Sequence, residues 1–86
     1  MKFNELLSVM HKGTLVEIGG QGVPDSNNPN IYSGNVEEMP KELVNILNDA
    51  EVAAVDASST NEYTVRVEVC GVRLNDLPEH LQHLMD

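Results

Sequence analysis

Apolar residues recur at helical spacing near the start of the chain. Leu6, Leu7 and Met10 fall on one face of a helix, Asn4 is a favourable N-cap residue, and Gly13 is a common stop signal. The spacing predicts a first helix over about residues 4–12.

Alternation of apolar and polar residues predicts strands further along the chain. In EYTVRVEVC, residues 62–70, Tyr63, Val65, Val67 and Val69 alternate with polar side chains, which is typical of a strand buried on one face. The other predicted strands are 14–18, ended by the paired glycines Gly19 and Gly20; 31–36, in which Gly34 indicates a bulge or close packing; and 51–58.

Two further stretches return to helical spacing. Pro40 suits the first turn of a helix, and Pro78 opens a closing one. The buried stripes are predicted at Leu43, Val44, Ile46 and Leu47 in the first of these helices, and at Leu77, Leu81, Leu84 and Met85 in the second.

The resulting order is α-β-β-α-β-β-α, with short linkers that suit two hairpins and no regular βαβ period. This pattern predicts an α+β fold, in which a small antiparallel sheet of about four strands carries helices on one face. Residues 1–86 are expected to form a single domain, because a chain of this length has room for one modest core.

The net charge of the chain indicates which class of partner it can bind. The formal net charge is −9, and residues 17–62 hold nine acidic side chains against Lys41 alone, a local charge of −8. Direct binding to nucleic acid is not expected, because that affinity comes from clustered Lys and Arg. A partner protein with a basic surface fits the charge better.

Cysteine content and hydropathy indicate the compartment. Cys70 is the single cysteine, which rules out an internal disulfide and suits a reducing cytosol. The first residues do not follow the pattern of a signal peptide, and no stretch is long and apolar enough for a membrane span. A cytoplasmic protein without membrane contact is expected.

The stretch GGQGVPDSNNPN, residues 19–30, is the most unusual in composition. A phosphate-binding loop would lead into a helix and usually carry a Lys, whereas this one leads into a strand. An EF-hand starting at Asp25 would place Asn30 where glycine is required and Val36 where the bidentate glutamate belongs. A long hairpin connection is the favoured interpretation, with partner contact left open.

His80 and His83, with Asp76 and Glu79 four residues before them, could place two or three metal ligands on one helical face. Leu81 and Leu84 are expected to lie on the buried face of this helix, however, so a solvated helix with ion pairs is the favoured interpretation. Cys70 has no flanking signature of a nucleophile. The sequence therefore predicts no catalytic residue, no cofactor and no metal site, and we expect a protein that is not an enzyme.

The acidic middle of the chain holds the candidate partner-binding residues. Carboxylates there could occupy positions where a basic partner expects phosphates, as a nucleic-acid mimic does. A solvated acidic face that only keeps the protein soluble explains the same charge. The candidate residues are Glu37, Glu38, Glu42, Asp49, Glu51 and Asp56.

The stretch IYSGNVEEMPKELVNILNDAEVAAVDASSTNEYTVRVEV, with NELLSVM and TLVEI before it, resembles small phage or prophage proteins of uncharacterised function. In them a strand with a Tyr-x-Gly core leads into an acidic turn, then Pro-Lys/Glu-Glu-Leu, then two strands. The resemblance covers about residues 3–69 through loose motifs. Small acidic phage proteins include anti-CRISPR proteins, which are similar in size, charge and lack of catalytic machinery.

The resemblance implies an inhibitor of a host protein that processes nucleic acid, with a CRISPR effector as the leading partner. The alternative hypothesis is an accessory or oligomerising module of a phage or mobile element, in which a strand edge pairs two copies as a homodimer.

Overall fold

A computed structural model describes residues 1–21, 29–59 and 61–82. Its helices and strands follow in the predicted order, with a short 3-10 helix before each of the last two α-helices. The elements are α1 (Phe3–Val9), β1 (Leu15–Gly20), β2 (Tyr32–Asn35), a 3-10 helix (Val36–Glu38), α2 (Lys41–Leu47), β3 (Val52–Ala57), β4 (Thr64–Val69), a second 3-10 helix (Leu74–Asp76) and α3 (Glu79–Gln82).

The four strands form one sheet in the order β2-β1-β4-β3. The pairs β1 with β2 and β3 with β4 are antiparallel, whereas the central pair, β1 with β4, is parallel. The predictions of an α+β fold, of four strands and of the element order are confirmed. The prediction of a wholly antiparallel sheet was wrong at the central pair.

The connection through α2 explains the parallel pair. Because each hairpin is antiparallel and β1 is parallel to β4, β2 runs in the same direction as β3. Strands of the same direction need a crossover connection, usually a helix, and α2 lies between β2 and β3 in the chain. The prediction overlooked this βαβ unit because its two strands lie at opposite edges of the sheet.

The hydrophobic core lies between the helices and one face of the sheet. The central strands contribute Val16 and Ile18 of β1 and Val67 and Val69 of β4, all at most 1% exposed. The helices contribute Phe3, Leu6, Leu43, Leu47 and Leu81, joined by Ile31, Tyr32, Met39 and Leu77 from the rest of the described chain. Helices on one face of the sheet, as predicted, are confirmed.

The first two elements differ from their predicted boundaries. Helix α1 has Lys2, not Asn4, as its N-cap, and the Lys2 N–H donates to Glu5 Oε1 at 2.8 Å. Strand β1 does not end before the paired glycines, because Gly19 and Gly20 continue its ladder with β4. Most of the predicted loop, residues 22–28, lies outside the described residues, as does the calcium-loop position Asp25.

Gly34 has a conformation that requires glycine. Its φ is +145°, and a Cβ there would lie 3.2 Å from the hydroxyl oxygen of Tyr32. The predicted close packing at this position is confirmed, and the Tyr32 hydroxyl donates to the carbonyl oxygen of Asn35 at 2.8 Å.

The closing helix α3 is short within the described chain. Leu77 and Leu81 are buried, as its predicted stripe requires, while His83, Leu84 and Met85 lie outside the described residues. Among the helices of the described ranges, none combines the length and apolar character needed to cross a bilayer.

Candidate functional site

The face of the sheet opposite the helices carries a buried ion pair. Glu17 of β1 and Arg66 of β4 are register partners, and Arg66 Nη1 lies 2.7 Å from Glu17 Oε1. Their side chains are only 7% and 14% exposed, respectively. Burial of two charges is costly unless hydrogen bonds satisfy the remaining polar atoms, so the residues around the pair decide its stability.

Polar side chains from two loops complete this ion pair. The Asn61 side-chain amide donates to Glu17 Oε2 at 2.9 Å, and the Ser58 hydroxyl lies 3.4 Å from the same oxygen. On the other side, Arg66 Nη1 donates to Asn30 Oδ1 at 2.9 Å. The β3–β4 loop and the end of the long loop thus both bind to the polar face through one network.

The network sets the ionisation of Glu17. Burial alone would raise the pKa of this carboxyl, but hydrogen bonds from Arg66 and Asn61 and the charge of Arg66 outweigh burial and hold the pKa below its ordinary value. Glu17 is therefore a carboxylate at neutral pH and acts as a fixed negative partner, not as a proton donor.

The Arg66 guanidinium rests on the backbone of Gly19. A Cβ built on Gly19 would overlap Arg66 Nη2 and lie 3.0 Å from Asn30 Oδ1, so only glycine leaves room for this packing. Arg66 Nη2 is buried and has no hydrogen-bond partner among the described residues. The glycine at position 19 is explained by this contact, not by a turn.

A cavity of about 240 Å³ lies beside this network, on the outer part of the polar face. Asp56 of β3 and Glu68 of β4 line it together with Arg66. Glu68 Oε1 lies 3.9 Å from Arg66 Nε, while the closest carboxylate to Arg66 is that of Glu17. Because Glu17 already offsets the charge of Arg66, Asp56 and Glu68 leave the cavity net negative.

Strand β3 forms the exposed edge next to this cavity. All its residues from the second onward are exposed. The Ser58 N–H donates to the Thr64 carbonyl at 2.9 Å, and hydrogen-bonded pairs alternate along an antiparallel ladder. Because Ser58 and every second residue before it bond to β4, the N–H and C=O groups of the intervening residues Val55 and Ala57 point to the outer edge instead.

Part of this outer edge is already paired within the chain. The Val52 N–H donates to the Met1 carbonyl at 2.8 Å, so the first residues of the chain extend the sheet beside the start of β3. Further along, the Ala57 N–H donates to the Asp56 side chain at 2.8 Å. Val55, between these two contacts, is the centre of the open part of the edge.

An apolar groove of about 500 Å³ lies at the hairpin end of β3 and β4. Val55, Ala57, Tyr63 and Val65 line it, with Glu62 beside them. Val55 is 49% exposed and Tyr63 is 92% exposed, at a φ of +58° that non-glycine residues seldom adopt. The edge strand β3 thus has a polar cavity on one side and an apolar groove on the other.

The six predicted partner-binding residues are all exposed, but they do not share one face. Glu37 and Glu38 lie in the first 3-10 helix and Glu42 in the first turn of α2, on the helical side of the molecule. Asp56 is the register partner of Arg66, which places it on the opposite face of the sheet.

Two of the six candidate residues, Glu51 and Glu42, are tied to neighbours by ionic contacts. Glu51 binds the amino group of Met1 at 3.1 Å and Lys2 Nζ at 3.3 Å, and these partners lower its pKa below the ordinary value. Glu42 Oε2 lies 2.7 Å from His80 Nε2. Asp49 follows α2 and is exposed.

The other candidates from the sequence show no assembled chemistry within the described ranges. His80 is exposed, as the solvated-helix interpretation predicts, but its contact is with Glu42 of α2 and not with an acid of its own helix. Cys70 is half-buried, with its sulfur 3.6 Å from Gln21 Oε1. In residues 1–21, 29–59 and 61–82, no three His, Cys, Asp or Glu side chains come together as a metal site would require.

Sequence reasoning missed the Glu17–Arg66 pair and the exposed edge. Opposite charges at polar positions of two predicted strands were the available signal, but pairing them requires the strand order. The structure supplies that order by placing β1 beside β4.

Comparison with protein-family models, with curated proteins and with solved structures finds no match.

Proposed function

We propose that this chain is a non-catalytic acidic protein of phage type. In this proposal it binds and inhibits a host protein that processes nucleic acid, with a CRISPR effector as the partner to test first. It would act in the cytoplasm of the bacterial host. Surface charge supports the proposal: all six candidate carboxylates lie at the surface of a chain whose net charge is −9.

The strongest local concentration of this charge is at the junction before α2. Glu37 and Glu38 are adjacent in the first 3-10 helix, and Glu42 follows within one turn of α2. Among the described residues, Glu37 and Glu38 have no ionic partner, so their side chains can meet basic groups of another protein without first breaking an ion pair.

Salt dependence and single charge reversals test this proposal. We expect the purified chain to bind a basic effector at low salt and to lose most of that binding as salt rises, because exposed charges are screened. Glu37→Lys and Glu38→Lys should each weaken binding about tenfold, the loss that one repelling contact can cause. Binding is measured by titration calorimetry and inhibition by nuclease assay.

Glu79→Lys is the matched control. Glu79, like Glu37, is an exposed acid in the first turn of a short helix, so its reversal changes the net charge equally. Equal losses for Glu37→Lys and Glu79→Lys would show that only total charge matters. Full affinity in all three variants would overturn the proposed face.

A second candidate function is an oligomerising module of a phage or mobile element. The exposed edge of β3 favours it, since an open edge is a template for pairing with another copy. Light scattering across a concentration series tests it. A stable dimer that binds no effector would replace the inhibitor proposal.

A further inference from the structure

We infer that the outer edge of β3 binds an extended segment of a partner protein in which basic and apolar side chains alternate. The inference deepens the proposed function. It rests on that function for the expectation that the partner protein is basic. It concerns a different surface from the junction before α2. The added segment would become a fifth strand next to β3 in the sheet.

An added strand can bond to the backbone at the open edge of β3. The outer groups of Val55 and Ala57 lie on an edge strand whose side chains are exposed. Met1 already accepts a hydrogen bond from the Val52 N–H on this same edge, at 2.8 Å, within an isolated antiparallel bridge, so the edge pairs with other backbone in the native fold. Addition of a strand to an exposed edge is a common mode of peptide recognition.

The two faces of the sheet at β3 differ in chemistry, and this difference sets which side chains an added strand should carry. Successive side chains of a strand point to opposite faces, so an added strand would send alternate side chains over the 240 Å³ cavity and over the 500 Å³ groove. Asp56 and Glu68 line the cavity, which suits Lys or Arg. Val55, Tyr63 and Val65 line the groove, which suits apolar side chains.

Asp56 makes the edge selective for basic strands. Its carboxylate accepts the outward N–H of Ala57 at 2.8 Å, and a new strand must displace it to reach that N–H. A Lys or Arg on the incoming strand offers the displaced carboxylate a new partner, whereas a neutral or acidic strand leaves it without one. Charge complementarity thus favours a basic segment over a second copy of a chain with net charge −9.

A synthetic peptide of about eight residues, a typical strand length, with Lys and Val alternating, is the direct probe. We expect saturable binding of one peptide per chain and slower hydrogen exchange at the Val55 and Ala57 amides. A peptide with Glu in place of Lys should bind at least about tenfold more weakly. N-methylation of one alternate set of peptide nitrogens should abolish binding and N-methylation of the other set should not, because only one set of N–H groups can face β3.

Val55→Pro tests the same edge from the protein side. The Val55 N–H points outward, so proline there removes a donor of the new ladder without removing one of the β3–β4 ladder. We expect loss of peptide binding with a retained thermal unfolding transition. Ser33→Pro on β2, at the opposite edge of the sheet, is the matched control and should bind normally.

Asp56→Ala tests the selectivity. Without the carboxylate, the Ala57 N–H is open and the preference for the Lys peptide over the Glu peptide should fall about tenfold or more. This variant and the N-methylated peptide test the inference even if Val55→Pro does not fold.

Several outcomes would overturn the inference. One is equal binding of a peptide with the same Lys and Val residues in two separate blocks, which would show charge attraction without strand pairing and leave the proposed function intact. Another is protection of β2 amides instead of those of β3. A concentration-dependent dimer that Val55→Pro abolishes would assign the edge to a second copy.

Binding of the alternating peptide at β3, combined with failure to inhibit any effector, would keep the inference and reject the proposed inhibition.

Discussion

Strands β3 and β4 are neighbours with opposite relations between composition and burial. β3, Val52–Ala57, has Asp56 as its single charged residue, yet it is the most exposed strand. β4, Thr64–Val69, carries Arg66 and Glu68, yet it is largely buried. Apolar content therefore does not decide which strand is central in this sheet.

Side-chain size and pairing explain the difference. The three alanines of β3 bury little area, so placing this strand in the centre would gain little free energy. β4 places Val67 and Val69 in the core and turns Arg66 towards a carboxylate on β1. A half-polar strand can occupy the centre of a sheet when its polar face finds partners, and the strand left at the edge is then open to another protein.

The largest expected effect comes from breaking the polar pair of the central strands. Arg66→Met leaves the buried Glu17 without its cation and should lower the free energy of unfolding by about 3 kcal/mol. Urea denaturation measures this loss.

Arg73→Met, at an exposed position, is the control for the lost charge and should change stability by less than about 0.5 kcal/mol. Adding Glu17→Leu to Arg66→Met should recover much of the stability, because an apolar pair of similar volume often replaces a buried ion pair. No recovery would mean that the surrounding hydrogen bonds, not the unpaired carboxylate, dominate.

The next effect compares two valines that face each other across the β3–β4 ladder. Val55 and Val67 are register partners, but Val67 is fully buried and Val55 is 49% exposed. Val67→Ala should cost about 2 kcal/mol through lost burial and the cavity it leaves. Val55→Ala should cost less than about 0.5 kcal/mol. Similar losses at both sites, measured by thermal unfolding, would contradict the contrast between central and edge strands.

A smaller effect is expected at Gly19. Gly19→Ala forces the Arg66 guanidinium away from the β1 backbone and strains its bonds to Glu17 and Asn30, which should cost about 1.5 kcal/mol. Gly13→Ala is the control, because no atom lies within 4 Å of the added Cβ. In an Arg66→Ala background most of the Gly19→Ala cost should vanish, and a cost that stays unchanged would exclude this contact as its cause.

Local patterns in the sequence predicted the helices and strands but not which strands lie side by side in the sheet. Alternation located β4, and the stripe of Leu43 and Leu47 located α2, because burial on one face imposes a period on any chain that folds this way. Strand order depends on contacts between residues far apart in sequence, such as Glu17 with Arg66, which no local period records. The open edge of β3 follows from that order, so it could not be predicted either.

The smallest expected effect is the pH dependence due to Glu17, since burial and hydrogen bonding oppose one another there. Its folded pKa lies below the ordinary value of 4.5. A carboxyl with a lowered pKa adds stability that is complete above its unfolded pKa and is lost as pH falls through the folded pKa. We therefore expect the Glu17 contribution to be constant at neutral pH, to begin to fall near the unfolded pKa of about 4.5, and to be lost as pH falls further through the folded pKa.

A carbon-detected NMR titration of the glutamate side chains measures this directly. Glu17 should titrate below 4.5, and Glu51, whose pKa the Met1 amino group and Lys2 lower, should do the same for a different reason. High salt should raise the midpoint of Glu51 more than that of Glu17, because Glu51 is exposed and its partners are screened. A Glu17 midpoint above 4.5 would mean that burial outweighs the hydrogen bonds and charge of Arg66, and would contradict this prediction.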